Sequence, residues 1–273
     1  PTSAVSLRAE LEARARELGF ARFGVAEIEP LARDGAALRR WIANGHHASM
    51  GWMADTLRVR LDPSCDRMLP GARRIVVLAT AYSHGDEPIG PAPGLVARYA
   101  PGRDYHNVIG KRMRKLALVL REAGHAVRMT VDTMPVLERA WAQRAGLGFI
   151  GKNCCLIIPG VGSHVFLSTL VTDAELPPDG PMPERCGACH LCLDACPTAA
   201  FVEPRVLDSG RCISYLTIEH RGPIDEALRS KMGAHFFGCD DCQDVCPFNQ
   251  TRALDPGSTL PFAPHERFEV EAH

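Results

Sequence analysis

Eight cysteines between Cys186 and Cys246 constrain this chain more than any other feature. The run CGACHLCLDACP sets Cys186, Cys189, Cys192 and Cys196 in the pattern C-x2-C-x2-C-x3-C, with Pro197 directly behind. In bacterial ferredoxin spacing, three thiolates on one tight loop take three corners of a 4Fe–4S cubane. The fourth cannot reach that cubane and ligates a second one. The run therefore predicts a reciprocal partner, and CDDCQDVCP supplies Cys239, Cys242 and Cys246 before Pro247. That second run is one ligand short, and Cys212 in RCIS completes it. The expected ligand sets are Cys186, Cys189, Cys192 and Cys246 for one cluster, and Cys196, Cys212, Cys239 and Cys242 for the other. Zinc prefers two separated pairs, and disulfides belong to oxidising compartments and small domains. The reciprocal runs favour iron–sulfur over both.

A chain of 273 residues, 46% hydrophobic, can bury one large core or two modest ones. No apolar run is long enough to span a membrane. The N-terminal PTSAVSLRAELEARARELGF is charged and amphipathic, without a signal-peptide core. The expected compartment is the cytoplasm, where eleven cysteines point to metal or redox chemistry rather than staples. A formal net charge of −1 means that any nucleic-acid contact must come from local patches. The chain starts without Met and ends at EVEAH with no clear stop to the fold, which reads as a processed or truncated chain.

Periodicity predicts helices over 5–18, 35–44, 49–58 and 136–146, and a further helix in the second half of 97–124 with Ile109, Met113, Leu116 and Leu120 on one side. Strands are predicted over 20–27, 75–83, 126–132, 154–158 and 164–172, with 84–97 as a surface loop. The fold class is α+β or α/β: a sheet-and-helix domain over 1–175, a ferredoxin-like module over 176–250, and a tail over 251–273 that wraps the surface. The proline-rich ELPPDGPMPE (175–184) marks the connection between domains. Asp132 falls at the carboxyl end of a strand, next to a helix start. Ligands gather at such ends, and an N-cap is the plain alternative; position alone divides them evenly. Gly146, Gly148 and Gly151 suggest a close backbone approach. Cys65, Cys154 and Cys155 read as small buried hydrophobes outside any site, and His46 and His47 as an exposed loop pair. Spacing alone gives a reductase whose second cofactor lies upstream of the clusters, with flavin, corrin or direct substrate reduction open.

The chain as a whole resembles the epoxyqueuosine reductases, cobalamin-dependent iron–sulfur enzymes that complete queuosine in tRNA. The resemblance is carried by ELGF (17–20), RLDP (60–63), LPGAR (69–73), RYAPGRDYH (98–106) and VDTMPVLERAWAQRAGLGFIGKN (131–153). It continues through CGACHLCLDACPTAA, RCISYLT and GCDDCQDVCPFN. It implies an N-terminal domain that holds base-off cobalamin, and no Asp-x-His-x-x-Gly motif is present to supply a histidine ligand. It implies electron flow through two 4Fe–4S clusters to cobalt, from a donor of unknown identity. The implied substrate is epoxyqueuosine at the tRNA wobble position, and two electrons and two protons convert its epoxide to an alkene and water. Asp132 matches the family's proton donor, and burial beside a corrin would raise its pKa toward that task. Arg60, Asp132, Thr133, Met134, Lys152, Asn153, Ser214 and Asp240 match cobalamin-contact positions. Tyr99, Asp104 and His106 match a motif with a substrate or cofactor role. Candidate tRNA contacts are the basic face Lys111, Arg112, Arg114 and Lys115, together with Arg205, Arg211 and Arg221. The resemblance further implies a monomer. The competing readings are a reductive-dehalogenase-like corrinoid enzyme and a ferredoxin-type electron carrier.

Overall fold

The apolar run IVVLATA cannot face water on either side, and it forms the buried strand β2 (Arg74–Ala81) inside the main sheet. The protein is described by a computed structural model covering residues 3–82, 95–250 and 260–262. β1 (Arg22–Glu27) and β7 (Val165–Thr172) flank β2, and β4 (Val127–Thr130) closes the order β1-β2-β7-β4. Every pairing in this sheet is antiparallel, so the observed class is α+β.

Successive strand side chains point to opposite faces. Val76 and Leu78 therefore pack under α1 (Ala4–Glu17) and α5 (Tyr105–Glu122), where Leu7, Leu11, Ile109, Met113, Leu116 and Leu120 form one apolar layer. Ile75, Val77 and Ala79 face the other way, onto Trp141 of α6 (Glu138–Arg144) and onto Val59 and Met68. α2 (Ala32–Ala43) lies beyond this second layer. The helix expected over 49–58 breaks at Thr56 into α3 (Trp52–Asp55) and α4 (Leu57–Leu61). The strand expected over 154–158 contracts to a two-residue strand. β5 (Phe149–Ile150) pairs with β6 (Leu156–Ile157), and Cys154 turns into the left-handed region at φ 65°.

The proline-rich segment 175–184 is packed against the body. Leu176 is fully buried, Asp179 exchanges backbone and side-chain hydrogen bonds with Val25, and Arg8 donates to its carboxylate at 2.7 Å. The segment is a strap along the β1 edge, which covers otherwise unpaired backbone groups. In the tail, Phe262 is buried in the α1/α5 layer against Phe166. The rest of the tail and most of the 84–97 loop lie outside the described residues.

The cysteine segment is built from short pieces: α7 (Leu191–Asp194), β8 (Phe201–Glu203), β9 (Val206–Leu207), α8 (Ile213–Ile218), α9 (Glu226–Met232), β10 (His235–Phe237), α10 (Asp241–Asp244) and α11 (Pro247–Gln250). It is stitched to the body at several points. β10 pairs in parallel with β3 (Leu95–Val96). Trp41 Nε1 donates to the Leu207 carbonyl at 2.6 Å, and Ser49 Oγ meets the Tyr215 hydroxyl at 2.6 Å. Asn249 accepts the Ser163 N–H at 2.7 Å and donates to Ser163 Oγ at 2.9 Å. Among the described residues no helix is long and apolar enough to cross a membrane.

Candidate active site

α7 and α10 pack against each other, which brings the two cysteine runs face to face. Cys192 has Cys186, Cys246 and Cys189 as its electrostatic neighbours. Cys212 neighbours Cys196, and Cys239 and Cys242 both neighbour Cys212. These relations set Cys186, Cys189 and Cys246 near Cys192, and Cys196, Cys239 and Cys242 near Cys212. Burial, together with the neighbouring thiolates, pushes Cys192 up to about 11 and Cys239 well up. Thiols that raise one another in this way suit a cationic metal–sulfur core, which relieves the repulsion when they deprotonate.

Cys155 neighbours Cys242, and the interaction between the two thiols holds Cys155 down and pushes Cys242 up. Cys154 feels the charges of Cys212 and Cys192, so this pair lies beside both thiol groups. His46 and His47 are partly buried rather than exposed: the His46 carbonyl accepts the Ser209 N–H at 2.9 Å, and His47 packs on Trp41 at 6.0 Å.

Asp132 lies two residues past the end of β4 with φ 55°. This left-handed backbone costs a non-glycine residue on the order of 1 kcal/mol, least for Asp and Asn. It is no N-cap: α6 starts behind Leu137 without a side-chain cap. The Tyr105 hydroxyl donates to Asp132 Oδ2 at 2.6 Å, and His106 Nε2 lies 3.6 Å from the same oxygen. Tyr105 is stacked between His106 and Phe166, with ring centroids at 4.0 and 4.3 Å. Asp104 caps α5, accepting from the His106 N–H at 2.9 Å and meeting His106 Nδ1 at 3.0 Å. That contact fixes the imidazole and leaves Nε2 buried with no hydrogen-bond partner. Beside it opens a cavity of about 300 Å³ lined by His106, Met113, Met129, Val131, Thr133 and Met134. Tyr99 lies behind the site, edge-on to Tyr105 and Phe166, where burial pushes its phenol up to about 12.

The Asp132 carboxyl itself is 61% exposed. The more withdrawn acid of this site is the partly buried Glu138. Its Oε1 accepts the Asp132 backbone N–H at 3.2 Å, and burial, aided by the Asp132 charge, pushes it up to about 8. Arg139 donates to the Cys154 carbonyl at 2.6 Å and joins this acidic pair to the cysteine side. Arg60 is buried beneath Trp52, 5.1 Å from the ring centroid, and its Nε donates to Thr56 Oγ1 at 2.9 Å. Burial lowers its pKa, and Glu138 and Asp132 oppose that. Sequence reading passed over Tyr105, Glu138 and Arg139. Tyr105 lies inside RDYH and Glu138 and Arg139 inside PVLERA, yet nothing in the spacing marks which of their side chains reach Asp132.

Three expected cobalamin contacts, Lys152, Asn153 and Ser214, bond to the cysteine loops, and Asp240 of the second cysteine run bonds to Arg98. Lys152 Nζ donates to the Gly187 and Cys189 carbonyls, both at 2.8 Å. Asn153 donates to the Cys242 carbonyl at 3.1 Å and accepts the Cys155 N–H at 3.2 Å. Ser214 donates to the Cys239 carbonyl at 3.4 Å. Asp240 accepts the Arg98 N–H at 2.7 Å, and burial pushes it up to about 6. Thr133 is exposed and Met134 packs partly into the core. Among the tRNA candidates, Lys111, Arg114, Lys115 and Arg211 are exposed. Arg112 points inward to the Gly19 carbonyl, Arg205 pairs with Glu184, and Arg221 donates to the Ile218 and His220 carbonyls.

Two family descriptions match the chain. One is a 4Fe-4S double cluster binding domain over residues 185–249; the other is "Epoxyqueuosine reductase QueG, DUF1730" over residues 60–133. The epoxyqueuosine reductase of Gloeobacter violaceus is 43% identical over 247 residues, which is 88% of this chain and 76% of that one. This chain belongs to the epoxyqueuosine reductase family. It is therefore an oxidoreductase of mixed α/β fold with a 4Fe–4S-binding region at its C-terminal side. The Pseudomonas aeruginosa epoxyqueuosine reductase is 46% identical over 243 residues, 86% of this chain and 66% of that one. An epoxyqueuosine reductase crystallised with an epoxyqueuosine-modified tRNA-Tyr stem loop superposes with a TM-score of 0.88 at 32% identity, over 96% of this chain and 70% of that one. The Bacillus subtilis epoxyqueuosine reductase, in a state with its catalytic aspartate loop swung out of the active site, superposes with a TM-score of 0.82 at 32% identity, over 92% of this chain and 68% of that one.

Proposed function

We propose that this chain reduces the epoxide of epoxyqueuosine, at the wobble position of a tRNA anticodon, to the alkene of queuosine. Asp132 delivers the proton, on a loop that can move as the aspartate loop of the Bacillus subtilis relative does. The observation that carries this reading is the exposed Asp132 carboxyl, held in left-handed backbone, bonded by Tyr105, and next to His106, which lines the cavity. The overall change is two electrons and two protons taken up, one C–O–C ring opened to C=C, and one water released.

Both expected metal groups have donors that fit. The thiol groups Cys186, Cys189, Cys192 and Cys246, and Cys196, Cys212, Cys239 and Cys242, would each hold a 4Fe–4S cluster. For cobalamin the polar atoms left available at the cavity are the orphan His106 Nε2, the Thr133 hydroxyl and the backbone of 132–134. Arg60 lies behind them. Lys152, Asn153, Ser214 and Asp240 act through the loops they pin. When bound, the corrin and the two clusters supply the low-potential electron pair.

The residues of the chain hold and move the protons. Tyr105 orients Asp132 Oδ2 by donating to it, which leaves Oδ1 for the epoxide oxygen. His106 sets its Nε2 3.6 Å from Asp132 Oδ2. General acid catalysis by a placed carboxyl contributes roughly 10²–10⁴-fold. Asp132→Asn therefore keeps native iron and corrin content and loses at least about a hundredfold in anaerobic turnover of an epoxyqueuosine-bearing anticodon stem-loop. Native turnover by that variant would sink the assignment, and holo-protein that forms no queuosine would sink the function.

A further inference from the structure

We infer that Glu138 is the positioning residue that latches the Asp132 loop in its working conformation, by accepting the Asp132 backbone N–H. The inference rests on the role proposed above for Asp132. Four observations carry it. First, Glu138 is partly buried, yet its only hydrogen bond among the described residues is the one to the Asp132 amide at 3.2 Å. Second, it forms no ion pair there. Arg139, the neighbouring cation, is turned to the Cys154 carbonyl, and Arg60 is tied to Thr56 beneath Trp52. A carboxyl withdrawn from water without an ion pair needs a local reason, because burying such a group is costly.

Third, the amide that it holds belongs to a residue in left-handed backbone, a conformation that persists only when its surroundings over-determine it. The Glu138 acceptor on one side and the Tyr105 hydroxyl on the other supply that over-determination. Fourth, Glu138 begins α6, whose Ala140, Trp141 and Ala142 are buried in the core. The latch is therefore mounted on a rigid element while Asp132 lies on a loop.

The groups that face Glu138 are Asp132 on its loop, Arg139 on α6, Arg60 on α4 and Tyr105 on α5. Burial and the Asp132 charge keep the carboxyl protonated near neutrality. In that state its carbonyl oxygen still accepts the N–H without adding a negative charge beside the proton donor. Glutamine keeps the same acceptor, and methionine keeps the bulk without it.

The test uses holoenzyme loaded with iron–sulfur and cobalamin, the epoxyqueuosine stem-loop, and amide hydrogen exchange on the same preparations. Glu138→Met is expected to speed exchange at residues 132–133 and to lower kcat about tenfold, with stem-loop KM and cofactor content unchanged. Glu138→Gln is expected to stay within about threefold of native in both at pH 7. Native exchange and kcat in Glu138→Met overturn the inference. So does a Glu138→Gln variant as impaired as Glu138→Met, because then the acid and not the acceptor matters. Loss of cofactor in both variants overturns it too, by making Glu138 a structural residue. If Asp132→Asn also retains turnover, it is the proposed function that fails, whereas the exchange data still report on the latch.

Discussion

Asp132 and Glu138 divide between them what a single buried acid was expected to do. One is exposed beside His106; the other is withdrawn, with its pKa pushed up to about 8 by burial and by the Asp132 charge. The division has a measurable consequence for stability. An ordinary glutamate in the unfolded chain titrates at about 4.3, so between there and about 8 the folded chain holds a proton that the unfolded chain has released. Stability must then fall as pH rises through that window and level off above it. Asp240, pushed up to about 6, adds a smaller fall of the same sign. Melting of native protein and Glu138→Gln between pH 6 and 8.5 measures the difference: the native chain loses on the order of 1–2 kcal/mol more than the variant. Parallel curves would show that Glu138 ionises in the folded state as it does unfolded. The same scale explains why Tyr105 escaped a reading that named its neighbours Asp104 and His106. All three lie in one hexapeptide, but only the folded loop shows that the hydroxyl of Tyr105 meets Asp132, 27 positions away.

Among the elements, the short pieces of the cysteine segment have little core of their own. Ile213, Tyr215, Leu216 and Met232 form one small cluster, and Cys246 joins Phe149 and Ile157 of the body in another. Their placement depends on docking. The tightest seam is Gly162 against Asn249. Gly162 has φ 94°, and a Cβ there would lie 2.2 Å from Asn249 Oδ1. That oxygen accepts the Ser163 N–H, and the same amide donates to the Gln243 carbonyl at 2.7 Å. Asn249 is three residues past Cys246, so the seam sets the end of the second cysteine run. Gly162→Ala combines left-handed strain with a clash and is expected to cost about 2–4 kcal/mol by denaturant unfolding, and to lower iron per chain after anaerobic reconstitution. Full iron content and an unchanged denaturant midpoint would show that the seam has slack. The periodicity of α1, β2 and α5 was legible because each buries one face against a continuous layer. The 49–58 helix and the 154–158 strand were misread because their local patterns yield to turns that feed the cysteine side.

For the whole molecule, a net charge of −1 leaves little bulk attraction for a polyanion. The structure ties Arg112 and Arg205 into internal bonds, bonds the exposed Arg221 to carbonyls of its own turn, and leaves Lys111, Arg114 and Lys115 exposed along α5, the helix that also carries Tyr105 and His106. The proposed tRNA contact therefore rests on few charges and should be weak, falling with salt in proportion to their number. Reversing Lys111, Arg114 and Lys115 to Glu is expected to raise stem-loop KM about tenfold or more near physiological salt, with kcat preserved and a shallower salt slope. Native KM would move the contact elsewhere. The sequence by itself pointed to two reciprocal cysteine sets, because iron–sulfur ligand spacing is a local property of a tight loop. It also determined the sheet-and-helix core, because hydrophobic period is local as well. Tertiary structure alone decided which polar side chains serve the cysteine loops and which face the cavity. It turned Lys152, Asn153 and Ser214 toward the loops and Asp240 toward Arg98, brought Cys155 to Cys242, made a strap of the proline-rich segment, and set Glu138 behind Asp132. Those partnerships are hydrogen bonds between residues far apart in the chain, and they depend on distances that no spacing along it records.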